Sequence, residues 1–568
     1  MGHAAEAIRL FRAALSADPK RSETWQAIAE LMEAAGNPSD AAAAWTRAAE
    51  CAPADTTPWL RLADLHRDRG QPEAAAHAIR RARQRAPHRP ELARLEVEAL
   101  RDAGLAEKAH NTLLQAIQQH PGSVDLHLMA AEDYADLGRR DDCLRHMDCA
   151  VAADPHHTIA RSRRANYYVQ SRRLDDAEAD ITVILAHTPD SPHARLQAAR
   201  VALLRGELDR SRAMLDALLD ADLPLTPANR GHALLYRAEI HGKQGRLAEE
   251  WADLTHGQAT LAQPQLDRGE DGSRYLQTVA RRTAILTPGS AFRRAVESMP
   301  TQPPAGSALE DHPPVFMFGF PRSGTTLAER ILGAHPALTA TDELNLLGAV
   351  FDSIVKDCNS AYTEALSDAQ VRHLRQVFAN KAVRAGFDPR RTRLIDKNPL
   401  NFVFIDIVRR VFPDAPVLMI LRDPRDCVWS AFRQAFEPNP ALVMSRSLHH
   451  TATLYRAVLD LWQVGRTLPG MALTEVHYEH LVEDFEAGAR QLVAAAGEPW
   501  DDAVLQFHRT LGNAFVRTPS FAAVGQKVNR RRLGRWKRHA NMMSEVTDIL
   551  APYVDTLGVQ AVAPSLME

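Results

Sequence analysis

Val315-Phe316-Met317-Phe318-Gly319-Phe320-Pro321-Arg322-Ser323-Gly324-Thr325-Thr326-Leu327 runs from an apolar strand, through a turn punctuated by proline and glycine, into an amphipathic helix. Such a turn holds anions, because the unpaired N–H groups and the positive end of the helix dipole face one point. Arg322 adds a full charge there, and Ser323, Thr325 and Thr326 add hydroxyl donors. Gly324 lets the backbone approach a ligand closely. No lysine follows that glycine, as one would in a Walker A loop, so the cradle suits a phosphate-like group other than that of ATP.

Working outward, apolar runs at Val315–Phe320, Arg393–Ile395, Val417–Leu421 and Ala472–Val476 alternate with helical stretches. That alternation predicts a parallel sheet with helices on both faces, an α/β domain of P-loop-like form. Ligands of such sheets sit at the carboxyl ends of the strands, where the Pro321–Thr326 turn falls.

The first half has a different grammar. Pro19, Pro53, Pro87, Pro121, Pro155 and Pro189 are each 34 residues apart. Gly36, Gly70, Gly104, Gly138 and Gly206 keep the same step, with Arg172 in the fifth slot. Five residues after each stands a small side chain: Ala41, Ala75, Ala109, Cys143, Ala177 and Ser211. Helical hairpins account for all three series. The glycine ends one helix in a left-handed conformation, the small residue lets the next approach closely, and proline stops it. Period and placement resemble the tetratricopeptide repeat, an α-solenoid of helical hairpins whose groove binds a protein or peptide. A seventh unit, with its turn at Gly245, is out of phase by five residues. The array is expected over 1–262, with a connecting segment and linker at 263–312. Its His and acidic residues recur in no register, so its charges read as solvated helix faces and its role as recruiting a partner or dimerising (a homodimer).

Composition bounds the rest. The chain has 568 residues, enough for more than one domain, and a net charge of −3 that gives no bulk attraction to nucleic acid. Five cysteines without paired spacing argue against a disulfide framework and a structural zinc. No basic-flanked apolar leader and no run long enough to span a membrane is found, so the expected location is cytoplasmic.

Further segments share the strand-end position. Arg393-Leu394-Ile395-Asp396-Lys397-Asn398-Pro399 places Lys397 just past a strand. Val417–Leu421 delivers Arg422-Asp423-Pro424-Arg425-Asp426 and then a helix bearing Ser430, so that Arg422 and Ser430 can clamp a second phosphate. Tyr478 follows the last strand, and a basic run from Lys527 to Arg538 lies near the C-terminus. Singly each of these is weak; their order is not.

The region 313–568 resembles the sulfotransferase superfamily, and most of all its tyrosylprotein sulfotransferase branch. The resemblance implies transfer of a sulfuryl group from 3′-phosphoadenosine 5′-phosphosulfate (PAPS) to an acceptor hydroxyl, protein tyrosine among the candidates, without a metal. Pro321–Thr326 is similar to the 5′-phosphosulfate loop, and Arg422 with Ser430 to the 3′-phosphate motif. Lys397 matches the lysine that assists the leaving group, and Tyr478 lies in a Tyr-Glu-x-Leu element. Ser520, Val524, Val528, Asn529, Leu533, Arg535 and Trp536 are spaced like the lid over the nucleotide, with Arg535 standing for a lysine. Asp342-Glu343, seven residues past His335-Pro336, matches the pair whose second acid is the catalytic base; His335 is a weaker candidate for that base. Read from the residues alone, Asp342 and Glu343 are equally the N-cap and first-turn acid of the next helix. The other readings are an ATP-using kinase or NTPase, and a repeat scaffold with an inactive enzyme domain.

Overall fold

In the computed structural model the described residues are 2–221, 223–356, 366–437, 439–510 and 530–557. The chain divides into two compact units, Met1–Arg164 and Ala165–Glu568, the cut falling inside the helix Thr158–Gln170.

In the first unit helices alternate with tight left-handed turns. Ser22–Ala34 and Pro38–Cys51 are joined through Gly36 at φ 72°, and Gly70, Gly104 and Gly138 repeat that conformation at 66°, 71° and 68°. Proline opens the second helix of two hairpins, at Pro38 and Pro72, where its missing N–H costs nothing. Ala41, Ala75, Ala109 and Cys143, in the second helix of each hairpin, are buried.

The second unit begins in the same grammar. Arg172 takes the glycine slot at φ 59°, which costs a residue with a side chain about 1–2 kcal/mol. Ser211 is buried, and its hydroxyl donates to the Ala199 carbonyl at 2.8 Å. The hairpin Pro227–Lys243 and Leu247–Leu266 turns at Gly245, and its second helix runs through Pro264, past the expected end of the array at 262.

Residues 263–312 are no free tether. The helices Ser273–Leu286 and Ala291–Glu297 send Val279, Leu286 and Val296 into one core with Phe316, Phe318, Leu454 and Val458. Arg409 locks the following turn, donating to the carbonyls of Met299 at 2.9 Å and Pro300 at 2.8 Å. Pro, Gly, Ser and acidic residues suggest a linker only over 300–314; the stretch near Tyr275 to Leu286 reads as helical, and its apolar spacing decides the packing.

Five strands form one parallel sheet: β1 Val315–Gly319, β2 Leu338–Ala340, β3 Arg393–Lys397, β4 Pro416–Leu421 and β5 Ala472–His477, in the order β2-β3-β1-β4-β5. Successive side chains of β1 point to opposite faces. Phe316 and Phe318 join one hydrophobic core, and Val315 and Met317 join another with Ile331, Leu332 and Leu492. Burial on both faces explains why β1 and β4 read as unbroken apolar runs. β2 escaped the sequence pattern because only three residues, at the sheet edge, form it. The chain leaves β1 for β2 on one side and arrives at β4 on the other, so the order reverses between β1 and β4. Register pairs Gly319 with Ile420, which sets the loops after these two strands side by side.

Candidate active site

The loop after β1 is held in a costly shape. Ser323 N–H closes the turn on the Phe320 carbonyl at 3.0 Å, and Arg322 lies at φ 75°. Gly324 then takes φ 111° at the start of the helix Thr325–Leu332. A Cβ on Gly324 would come within 2.4 Å of the Tyr478 ring. The Ser323 hydroxyl is buried without a hydrogen-bond partner, and Thr325 and Thr326 are buried as well.

Two segments remote in sequence close on this loop. Arg322 Nε donates to Ser430 Oγ at 3.0 Å, and Arg422 Nη1 donates to the Arg322 carbonyl at 3.1 Å. The Arg422 guanidinium sits 4.5 Å from the centre of the Tyr478 ring. Arg322 is pushed down to about 9, by burial first and then by repulsion from Arg532 and Arg422. Arg535 is exposed and close enough for its charge to act on both Arg322 and Arg422. Cations gathered this closely against their mutual repulsion make a socket for a multiply charged anion.

The neighbouring acids keep this shape. Asp423 accepts from Arg425 N–H at 2.9 Å and so caps the helix Pro424–Phe432 that carries Ser430, while Glu479 accepts from Asp423 N–H at 2.9 Å. Asp426 accepts from Gly534 N–H at 2.7 Å and Trp536 N–H at 3.1 Å, tying down the basic C-terminal segment. Arg425 stacks 4.2 Å over the Trp536 ring. Ser520, Val524, Val528 and Asn529 fall outside the described residues.

The acid–lysine pair lies beside this socket, next to the end of β3. Lys397 Nζ is 2.5 Å from Glu343 Oε1 and 3.3 Å from Glu329 Oε2. Lys397 and Glu329 are each 1% exposed, whereas Glu343 keeps 28% of its side chain open. Burial works against the lysine charge, yet attraction to Glu329 and Glu343 lifts Lys397 above the ordinary lysine value. Asp342 and Glu343 both adopt left-handed backbone, at φ 53° and 64°. Three of the five non-glycine residues at positive φ among those described therefore lie in this site. Strain of this sort, about 1–3 kcal/mol per residue, gathers where a fold over-determines a functional group.

The cap alternative for Asp342 and Glu343 does not hold. Asn345 accepts from Gly348 N–H at 3.2 Å at the start of the helix Leu346–Lys356, and the two acids form a separate turn ahead of it. His335 is committed elsewhere: its Nδ1 accepts from Ala337 N–H at 3.2 Å, and its Nε2 donates to the Pro499 carbonyl at 2.9 Å. Glu329 is the participant that the sequence concealed, since an acid beside Arg330 on a helix reads as a solvated pair.

A model of the sulfotransferase family matches residues 313–502, and tetratricopeptide-repeat models match 1–64, 60–124 and 128–192. An uncharacterized protein of Aquifex aeolicus is 28% identical over 42% of this chain and 32% of its own length. Protein-tyrosine sulfotransferase 1 of Danio rerio is 25% identical over 36% of this chain and 59% of its own. The chain thus spans less than two thirds of these relatives. The sulfotransferase domain of the Synechococcus PCC 7002 olefin synthase covers 44% of this chain and 98% of its own, at 20% identity and a TM-score of 0.32. By the family models, the chain carries tetratricopeptide repeats within 1–192 and a domain of the sulfotransferase family at 313–502.

Proposed function

We propose that this protein transfers a sulfuryl group from PAPS to an acceptor hydroxyl, that of a protein tyrosine, and that the repeats recruit the acceptor or a partner protein. The observation that carries the reading is the junction of the two anion motifs: Arg322 bonded to Ser430, with Arg422 bonded to the Arg322 carbonyl. One phosphate-binding loop alone would suit many ligands. Two cationic loops locked together at the switch point suit a nucleotide phosphorylated at both its 3′ and 5′ positions.

Arg322, Ser323, Gly324, Thr325 and Thr326 hold the 5′ end of the donor, and Arg422 and Ser430 hold its 3′-phosphate. Tyr478 keeps Arg422 and Gly324 in place, and Arg535 adds charge at the rim. The acceptor oxygen attacks sulfur in line with the bond to the 5′-phosphate oxygen. The new S–O bond forms as the old one breaks, and 3′-phosphoadenosine 5′-phosphate leaves. Negative charge builds on the departing phosphate, where Lys397 and Arg322 oppose it. Glu343, the half-buried and most open member of the acid–lysine trio, takes the proton from the acceptor hydroxyl. Position and fixed charge do the work, as in phosphoryl transfer, and this scheme calls on no metal.

The test combines calorimetric binding of 3′-phosphoadenosine 5′-phosphate with transfer of labelled sulfate from PAPS into a cell lysate. Micromolar binding and label on protein tyrosine are expected; no binding at such concentrations would overturn the reading. Glu343→Gln should keep the nucleotide affinity and lose about 10²–10⁴ in turnover. Full turnover by that variant would remove Glu343 as the base.

A further inference from the structure

Glu329 is a fully buried acid that the scheme above leaves without a task. It lies on the helix Thr325–Leu332, one turn beyond the anion loop. Its Oε1 accepts from Asp342 N–H at 3.1 Å, and its Oε2 lies 3.3 Å from Lys397 Nζ. The next residue, Arg330, grips the Asp342 carboxylate at 2.6 Å. A single short helix therefore begins in the anion loop and ends clamped on the strained turn that carries Glu343. Burying a carboxylate is costly and stability alone does not call for one here, because a leucine would fill the same space without a charge to desolvate.

We infer that Glu329 is the positioning residue of this site: it fixes the Asp342-Glu343 turn through the backbone and holds Lys397 between two carboxylates, so that lysine and base keep their places relative to the anion loop. This inference rests on the sulfotransferase reading. With only Glu343 opposite, the lysine would swing with that half-buried side chain; with Glu329 behind it, the ammonium has a fixed anchor at the end of β3. The charged groups that face Glu329 are Arg330 on its own helix, Asp396 and Lys397 from β3, and Asp342 and Glu343 from the turn. Burial raises Glu329 to about 7, the pull of Lys397 opposing it.

The variants Glu329→Gln and Glu329→Ala separate the two contacts. Glutamine keeps an acceptor for Asp342 N–H and removes the negative charge that faces Lys397; alanine removes both. Expected for the full chain of E329Q is a loss of about 10- to 100-fold in kcat, with affinity for 3′-phosphoadenosine 5′-phosphate within about threefold of the parent. The alkaline limb of its pH–rate profile should move to lower pH, because one of the two carboxylates that lift Lys397 is gone. E329A should lose more than E329Q, through the orphaned N–H. Unchanged kcat and an unchanged alkaline limb in E329Q, with only the melting temperature altered, would show a purely structural glutamate and overturn the inference while the parent still turns over. A parent that neither binds the nucleotide nor transfers sulfate would instead overturn the sulfotransferase reading, and this inference with it. Should E329A fail to fold, E329Q decides alone.

Discussion

One methyl group on Gly324 should disable the anion socket. The residue sits at φ 111°, where an alanine costs about 1–2 kcal/mol, and its new Cβ would lie 2.4 Å from Tyr478 Cδ2. Real Cβ contacts are never that short, so either the loop or the ring must move. If the ring moves, it leaves Arg422, whose guanidinium stands 4.5 Å from its centre, at a cost of about 0.5–2 kcal/mol. If the loop moves, the Arg322 to Ser430 bond and the Ser323–Thr326 cradle are displaced instead. Together these terms come to about 1.5–4 kcal/mol, or about 10- to 1,000-fold in affinity for 3′-phosphoadenosine 5′-phosphate. Titration calorimetry on Gly324→Ala measures it, with thermal unfolding as the check that the sheet is intact. A double-mutant cycle with Tyr478→Ala sharpens the result: without the ring, adding the methyl should cost only its backbone share. Binding within threefold of the parent in Gly324→Ala, or a methyl penalty indifferent to Tyr478, would refute the packing argument.

Other expectations concern the charges behind the socket. Lys397→Met leaves Glu329 and Glu343 without their cation, so turnover should fall on the order of 10²–10³. The unfolding free energy in urea should drop by about 3–5 kcal/mol; a variant as stable as the parent would show the trio to be solvated. Asp396 is buried in β3, and burial raises it from 3.8 to about 7 although Leu347 N–H bonds to it. Below about pH 4 it is protonated folded or unfolded. Between about 4 and 7 only the unfolded chain releases the proton, so the native state loses stability as pH rises, by at most about 1.4 kcal/mol per pH unit. Asp396→Asn is immune to this loss, and its melting temperature should gain on the parent across that window and level off above it. A gap that does not vary with pH would show Asp396 to titrate normally.

The apolar runs and the period of 34 were enough to read the sheet and the repeats, because each rests on a strong local rule. Arg322, Lys397, Arg422 and Ser430 could be singled out as candidates because strand ends are recognisable, and the sheet brings them together beyond the carboxyl ends of its central strands. Less of what holds these residues in place was legible. That Arg322, Asp342 and Glu343 take left-handed backbone follows from tertiary contacts, since nothing in an arginine or a glutamate favours that region. Glu329 carries no signal in the sequence, because burial of an acid shows only when its remote partners, Asp342 N–H and Lys397, are in place. A helix near Tyr275 to Leu286 is legible from its apolar spacing, whereas the short helix Ala291–Glu297 is not, because seven residues carry too little periodicity.

The last helical hairpin has a consequence for how such a protein can be divided. Trp251 stacks on Trp429 with centroids 6.3 Å apart, and the Gln258 amide donates to the carbonyls of Phe432 and Gln434, where the Ser430 helix ends. Glu250, buried in the same hairpin helix, meets Arg433 at 3.0 Å. A solenoid ordinarily needs a polar terminal repeat to shield its open end from water. Here the sulfotransferase domain is that stopper, and the hairpin in turn is a wall of the domain. An expression boundary at 263 or 313 would take Trp251 from the Trp429 indole and the Gln258 bonds from the end of the helix that presents Ser430, whereas one just ahead of Pro227 keeps these contacts. The hairpin Pro227–Lys243 and Leu247–Leu266 belongs structurally to the domain that follows it.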